Sequence, residues 1–115
     1  MATVTELYNG SASISTTEYS LTNNSTTIAA KTDDGPIQVF LDLNAMAAGD
    51  AYTFTVYEKV RSSSTQRVLW RCYFRDAQTE PNWVSPSILV THGWDVTLDR
   101  TAGTDRTIEW SIRTV

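Results

Sequence analysis

Arg67-Val68-Leu69-Trp70-Arg71-Cys72-Tyr73-Phe74-Arg75 alternates Val68, Trp70, Cys72 and Phe74 with a second set led by Arg67, Arg71 and Arg75. Successive side chains of an extended chain point to opposite faces, so this stretch reads as a half-buried β-strand with a basic, aromatic outer face. The same period of two runs through Ile37, Val39, Leu41 and Leu43, and through Tyr52, Phe54 and Val56. It returns in Trp94, Val96 and Leu98, and in Ile108, Trp110 and Ile112. Weaker strands are expected at residues 3–8, 13–21 and 87–91. Turn-forming segments at residues 23–27, 33–36, 61–65 and 101–105 separate the runs. Residues 43–50 have room for one helical turn, which Gly49-Asp50 would stop. About eight short strands at this spacing predict an all-β chain, a single antiparallel β-sandwich of jelly-roll or Ig-like type over residues 1–115.

Two hairpins can be registered by requiring inward residues to face inward partners, because a slip of one residue turns a strand inside out. The first pairs Phe54 with Phe74, Val56 with Cys72 and Val60 with Val68, and sets Glu58 opposite Trp70. The second pairs Leu98 with Ile108, Val96 with Trp110 and Trp94 with Ile112. Each closes with a loop of about five residues. Their outer faces differ in character. Lys59, Arg67, Arg71 and Arg75, interleaved with Tyr57, Leu69 and Tyr73, make one basic-aromatic face. Asp95, Asp99 and Glu109, interleaved with Thr97, Thr107 and Ser111, make an acidic-polar face.

A chain of 115 residues with 41% hydrophobic residues supports one core, and neither disorder nor a repeat array fits it. No apolar run approaches the roughly 18 residues of a membrane span, and Met1-Ala2-Thr3-Val4-Thr5-Glu6 lacks the basic start and apolar stretch of an export signal. The net charge of -4 argues against bulk nucleic-acid binding. The lone Cys72 excludes an internal disulfide and is expected inward, as a small hydrophobe between Trp70 and Phe74. His92, the single histidine, falls in a bend and is expected to be structural or solvated. With so few Cys and His residues and no glycine-rich phosphate loop, neither catalysis nor zinc nor any other cofactor is expected. Asp95, Asp99 and Glu109 carry the oxygen ligands that Ca²⁺ prefers. Asp95 and Asp99, however, stand about 13 Å apart along a strand, so a solvated acidic face without metal is expected.

The stripe Arg67, Leu69, Arg71, Tyr73, Arg75 has the composition of a protein interface, ahead of a plain solvent face and further ahead of a single-stranded nucleic-acid surface. In Glu80-Pro81-Asn82-Trp83-Val84-Ser85-Pro86 two prolines stiffen a loop that presents Trp83, which either plugs the end of the sandwich or anchors a partner or a sugar. Candidate partner-binding residues are therefore Lys59, Arg67, Leu69, Arg71, Tyr73, Arg75 and Trp83.

With these elements placed, the chain resembles a family of small tailed-bacteriophage virion proteins. The resemblance is carried by Val39-Phe40-Leu41-Asp42-Leu43, Ala48-Gly49-Asp50 and Val56-Tyr57-Glu58-Lys59. It continues in Gly93-Trp94-Asp95-Val96-Thr97-Leu98 and in Ala102-Gly103-Thr104-Asp105-Arg106-Thr107-Ile108-Glu109-Trp110-Ser111-Ile112, and runs from about Thr17 to the end. It implies a non-enzymatic virion structural protein assembled in the host bacterial cytoplasm. The leading expectation is a capsid decoration (cement) protein, homo-oligomeric, that binds the major capsid protein at capsomer junctions through many weak contacts. Leu69 and Tyr73 would be its anchors, and neither nucleic acid nor membrane would be a partner. Residues 1–16, polar and weakly patterned, either pair within their own sandwich or form an arm exchanged between subunits or touching the capsid. The alternatives are a neck, tail or fibre component and a carbohydrate-binding sandwich that uses Trp83, Tyr57 and Tyr73.

Overall fold

The computed structural model describes residues 3–115, with Met1 and Ala2 outside the described part. Nine strands form: β1 (Thr5–Ile14), β2 (Tyr19–Ser20), β3 (Gly35–Asp42), β4 (Ala51–Glu58), β5 (Arg67–Arg75), β6 (Asn82–Val84), β7 (Ile88–Val90), β8 (Asp95–Ala102) and β9 (Arg106–Thr114). One sheet has the order β1-β9-β3-β6, with β7 on the same edge of β3 as a continuation of β6, and the other has the order β2-β8-β4-β5. The chain is an antiparallel β-sandwich, as its alternation predicts.

The order of pairing identifies the topology. With β6 and β7 counted as one interrupted strand, β1 pairs β9, β2 pairs β8, β3 pairs β6 and β7, and β4 pairs β5, all antiparallel. The chain is thus one long hairpin with its apex between β4 and β5, rolled so that successive rungs fall alternately in the two sheets. That is a jelly roll, an arrangement of two Greek keys. At the interruption, the Ser85 amide donates to the Val39 carbonyl and the Ser85 hydroxyl accepts from the Val39 amide, each at 2.9 Å. The ladder along β3 therefore loses no partner, while Pro81 and Pro86 blunt this edge of the sheet against further strands.

The core fills the space between the sheets with Val39, Leu41, Phe54, Val56, Trp94, Val96, Leu98, Ile108, Trp110 and Ile112, all buried. Each of these faces inward as the alternation predicts, but β8 and β9 do not form the expected second hairpin. Strands β8 and β9 lie in different sheets, so Leu98 and Ile108 meet the core from opposite sides and are not ladder neighbours. Ile108 pairs instead with Ala12, and Leu98 with Phe54. Two strands joined by a short turn pair only if no better partner exists, and β1 and β3 both claim β9.

The first hairpin exists, with its register displaced by two. Tyr52 opposes Phe74, Phe54 opposes Cys72 and Val56 opposes Trp70, and then an irregularity at Leu69 brings Val68 opposite Tyr57. The connection spans residues 59–66, longer than expected, and leaves Val60 and Val68 exposed instead of inward. Glu58 escapes the core position that the shorter loop would have forced on it. It opposes Arg67, and its carboxylate accepts the amides of Lys59 at 2.9 Å and Thr91 at 2.7 Å. Of residues 13–21, Ser13 and Ile14 end β1 and only Tyr19 and Ser20 form a further strand, and residues 43–50 form turns in place of a helix. Residues 5–14 of the expected arm pair with β9 of the same chain, where Gly10 lies so close to the Trp110 ring that a Cβ would overlap it.

The turn between β8 and β9 is organised by Asp50, which is buried. Its carboxylate accepts the Thr104 amide at 3.0 Å, the Ala47 amide at 2.9 Å and Arg106 Nε at 2.7 Å. These bonds, the Thr104 amide foremost, hold its carboxyl down at about 2, against an ordinary 3.8. Gly103 sits at φ +87°, and a Cβ there would come within 2.6 Å of the Asp50 Cα, so only glycine fits beneath the loop.

Candidate functional site

Among the described residues strand β5 is bonded only to β4, so it forms an edge of its sheet and its outer side chains face solvent. Arg67, Leu69, Arg71, Tyr73 and Arg75 are all exposed, Tyr73 by 71%. Among the described residues the ion pairs are Arg100–Asp105 and Arg106–Asp50, so Lys59 and the three arginines of β5 form no salt bridge there, although Glu58 lies opposite Arg67 and Arg71 shares a groove with Glu18 and Asp99. Arginines at 67, 71 and 75 also oppose edge-to-edge pairing of two copies. An antiparallel pairing centred on Arg71 would set like charges against each other.

The irregularity at Leu69 divides the expected stripe into two surfaces. At the hairpin end, Val60 (86% exposed), Leu89 (79%), Leu69 (51%) and Val68 (42%) surround a groove of about 380 Å³. Lys59, Arg67, Glu58 and His92 rim it. The Lys59 stem is packed over Gly93, where a Cβ would stand 3.0 Å from its Cδ and Cε, so the ammonium is held at the rim. Leu89 was missed from sequence. The alternation of Ile88, Leu89 and Val90 does turn it outward, but only the pairing of β7 beside β3 brings it to the β4–β5 loop.

The second surface is a groove of about 300 Å³ on the outer face of the β2-β8-β4-β5 sheet. Strand registers lay out its floor in rows. Tyr73, Thr53 and Asp99 lie side by side across β5, β4 and β8, and Arg71, Thr55 and Thr97 form the next row. Glu18, from the segment leading into β2, closes one side. Its carboxylate accepts the Tyr57 hydroxyl at 2.5 Å and the Thr97 hydroxyl at 2.6 Å. Burial and that bond push Tyr57 up to about 12, and burial with the nearby Glu18 raises Asp99. Arg71 Nε reaches the Thr55 hydroxyl at 3.4 Å. Glu18 carried no sequence signal, because only the crossing of residues 15–18 over the sheet makes it part of this face.

The remaining candidates lie elsewhere. Trp83 stands between the sheets, with its ring 5.0 Å from Phe74, 5.3 Å from Phe54 and 6.4 Å from Trp70, as the plug of that end and apart from the β5 stripe. The acidic-polar face does not exist. Asp95 is fully buried, Asp99 is half-buried in the groove, and Glu109 belongs to the other sheet. The Asp95 carboxylate instead accepts the Thr22 hydroxyl at 2.7 Å and the amides of Ala29 and Val96 at 2.8 Å. Cys72 is half-buried on the inner side of β5, where burial raises its thiol, and His92 is exposed in a bend.

These groups set a pH window for the fold. Asp50 contributes stability that is complete above about 4 and lost as pH falls through 2. Tyr8, whose hydroxyl donates to Asp33 at 2.5 Å, is pushed up to about 12 by burial and that bond, like Tyr57. Such raised groups contribute stability that is present below 10 and lost as pH rises through 12. Melting temperatures across pH are expected to fall at both limits, with Asp50→Asn flattening the acid limb and Tyr8→Phe the alkaline one. Limbs unchanged in both variants would refute these assignments. Comparison of the chain with protein-family models, curated proteins and solved structures gave no match.

Proposed function

We propose that this chain is a non-enzymatic virion structural protein, a capsid decoration protein that docks on the acidic outer surface of a phage capsid. The observation that carries the proposal is the hairpin-end surface. Four aliphatic side chains from the β4–β5 loop, β5 and β7 are exposed in one groove, rimmed by Lys59 and Arg67, which form no salt bridge among the described residues. Apolar centres with arginine-rich rims are what interfaces enrich, and monomer surfaces rarely gather aliphatic groups this way. The sequence resemblance to phage virion proteins supplies the partner, the major capsid protein. A jelly roll is used by viral capsid proteins and by lectins alike, so the fold favours neither.

Copy number per purified particle, measured by quantitative mass spectrometry against the major capsid protein, tests the proposal. Hundreds of copies support it. A handful would make the chain a neck, tail or fibre part, and none would remove it from the virion. A second prediction concerns the surface itself. Leu69→Glu with Leu89→Glu is expected to weaken capsid binding at least tenfold while leaving the melting temperature within a few degrees, since both side chains already face water. Unchanged capsid occupancy in this double variant would show that the groove is not the docking surface.

A further inference from the structure

The groove above Thr53 and Thr55 is a different surface from the hairpin-end patch, and its chemistry does not suit a protein edge. We infer that it is a binding site for a neutral carbohydrate, with Tyr73 as the stacking face and Asp99, Thr53 and Arg71 as the polar contacts. Three observations converge on that class of ligand.

The first is an unpartnered hydroxyl. Thr53 is only 6% exposed, lines the groove, and makes no side-chain hydrogen bond among the described residues. Its row neighbour Asp99 likewise has a carboxylate without a hydrogen-bond donor, half-buried beside Glu18. Both polar groups stay in reach of solvent at the groove floor, so a ligand that displaces that water must replace its hydrogen bonds. Both are aimed at the same space, so one ligand would satisfy both.

The second observation is the balance of charge. Glu18 and Asp99 stand on one side and Arg71 on the other, with the threonine hydroxyls between them. An anionic ligand would meet two carboxylates, and a cationic one would meet the guanidinium. A sugar hydroxyl both donates and accepts, so adjacent hydroxyls on one ring can donate to Asp99 while accepting from Arg71 and Thr53.

The third is an aromatic wall. Tyr73 is 71% exposed on the edge strand, at the far end of the row that holds Thr53 and Asp99. Two strand spacings separate β5 from β8, about 10 Å, which is room for one ring lying across the floor. The apolar face of a pyranose can pack on the tyrosine while its edge meets the carboxylate. Trp83, whose ring is committed between the sheets, takes no part.

The full chain should be screened on a glycan array holding neutral, sialylated and uronic-acid glycans, and the best neutral glycan then titrated in solution while the Tyr57 and Tyr73 ring resonances are followed. Saturable binding of at least one neutral glycan, with both tyrosines shifting, is expected. Asp99→Asn and Thr53→Val, which leave β5 intact, should each weaken it at least tenfold. No neutral binder, a preference for acidic glycans, or binding unaffected by both variants would each overturn the assignment. The Leu69→Glu, Leu89→Glu protein should bind the glycan like the parent. Loss of capsid docking and loss of glycan binding are therefore separate results.

Discussion

Replacing Asp95 by alanine will cost the fold about 3 kcal/mol or more, among the largest effects of any polar substitution in this chain. The carboxylate is buried and accepts the Thr22 hydroxyl and the Ala29 and Val96 amides. Hydrogen bonds to a charged acceptor contribute about 1.5–3 kcal/mol each, and their loss leaves buried donors without partners. Thr22 and Ala29 lie within the connection between β2 and β3, so the variant should also make that loop sensitive to protease. Asp99, four residues along the same strand, is the control. It has no hydrogen-bond donor and burial disfavours its charge, so Asp99→Asn should stay within about 0.5 kcal/mol of the parent. Urea unfolding of both variants measures the contrast. An Asp95→Ala protein less than about 1 kcal/mol below the parent would mean that the carboxylate does not hold the loop.

The second large effect is expected at Trp83. Its indole meets Phe54 and Phe74 edge-on and lies nearly parallel to Trp70, 9° between ring planes, so it joins β6 of one sheet to β4 and β5 of the other. Large-to-small substitutions of buried aromatics cost about 3–5 kcal/mol, because neighbours collapse only partly into the space left, and the half-buried Trp83 belongs at the low end. Trp83→Ala should fall in that range, and Trp83→Phe should recover much of it. A different result would change the role of this residue. If Trp83→Ala unfolded like the parent and yet abolished capsid binding, the indole would be an anchor for a partner and not a plug between the sheets.

Much of the surface proposed for docking was legible in sequence, and the groove above Thr53 only in part. Arg71, Tyr73 and Arg75 are exposed because they share one parity on a single strand, a local property, whereas Arg67 and Leu69 lie at and beyond an irregularity that the alternation does not announce. Leu89 and Glu18 joined those surfaces from segments some 20 and more than 50 residues away along the chain. Nothing in the pattern around either residue announces that meeting. The buried threonines mislead in the same way. Thr53, Thr55 and Thr97 point outward as expected, yet they are buried, Thr97 with its hydroxyl bonded to Glu18 and Thr53 and Thr55 at the floor of a groove.

The sequence by itself determined the class of fold, the faces of the long strands and the members of the core. Each of these follows from the two-residue repeat of an extended chain and the drive to remove apolar side chains from water. Which strand pairs with which was decided only in the tertiary structure. Trp94, Val96, Ile108 and Trp110 fit an inward face equally well in a local hairpin and in two separate sheets. Alternation does not discriminate between those arrangements. The jelly roll prevails because β9 gains ladders with both β1 and β3, and β8 with both β2 and β4, while the Gly103 turn allows the chain to cross between sheets. Burial of Asp95 belongs to the same level, since a carboxylate becomes a core residue only where a distant loop brings it donors.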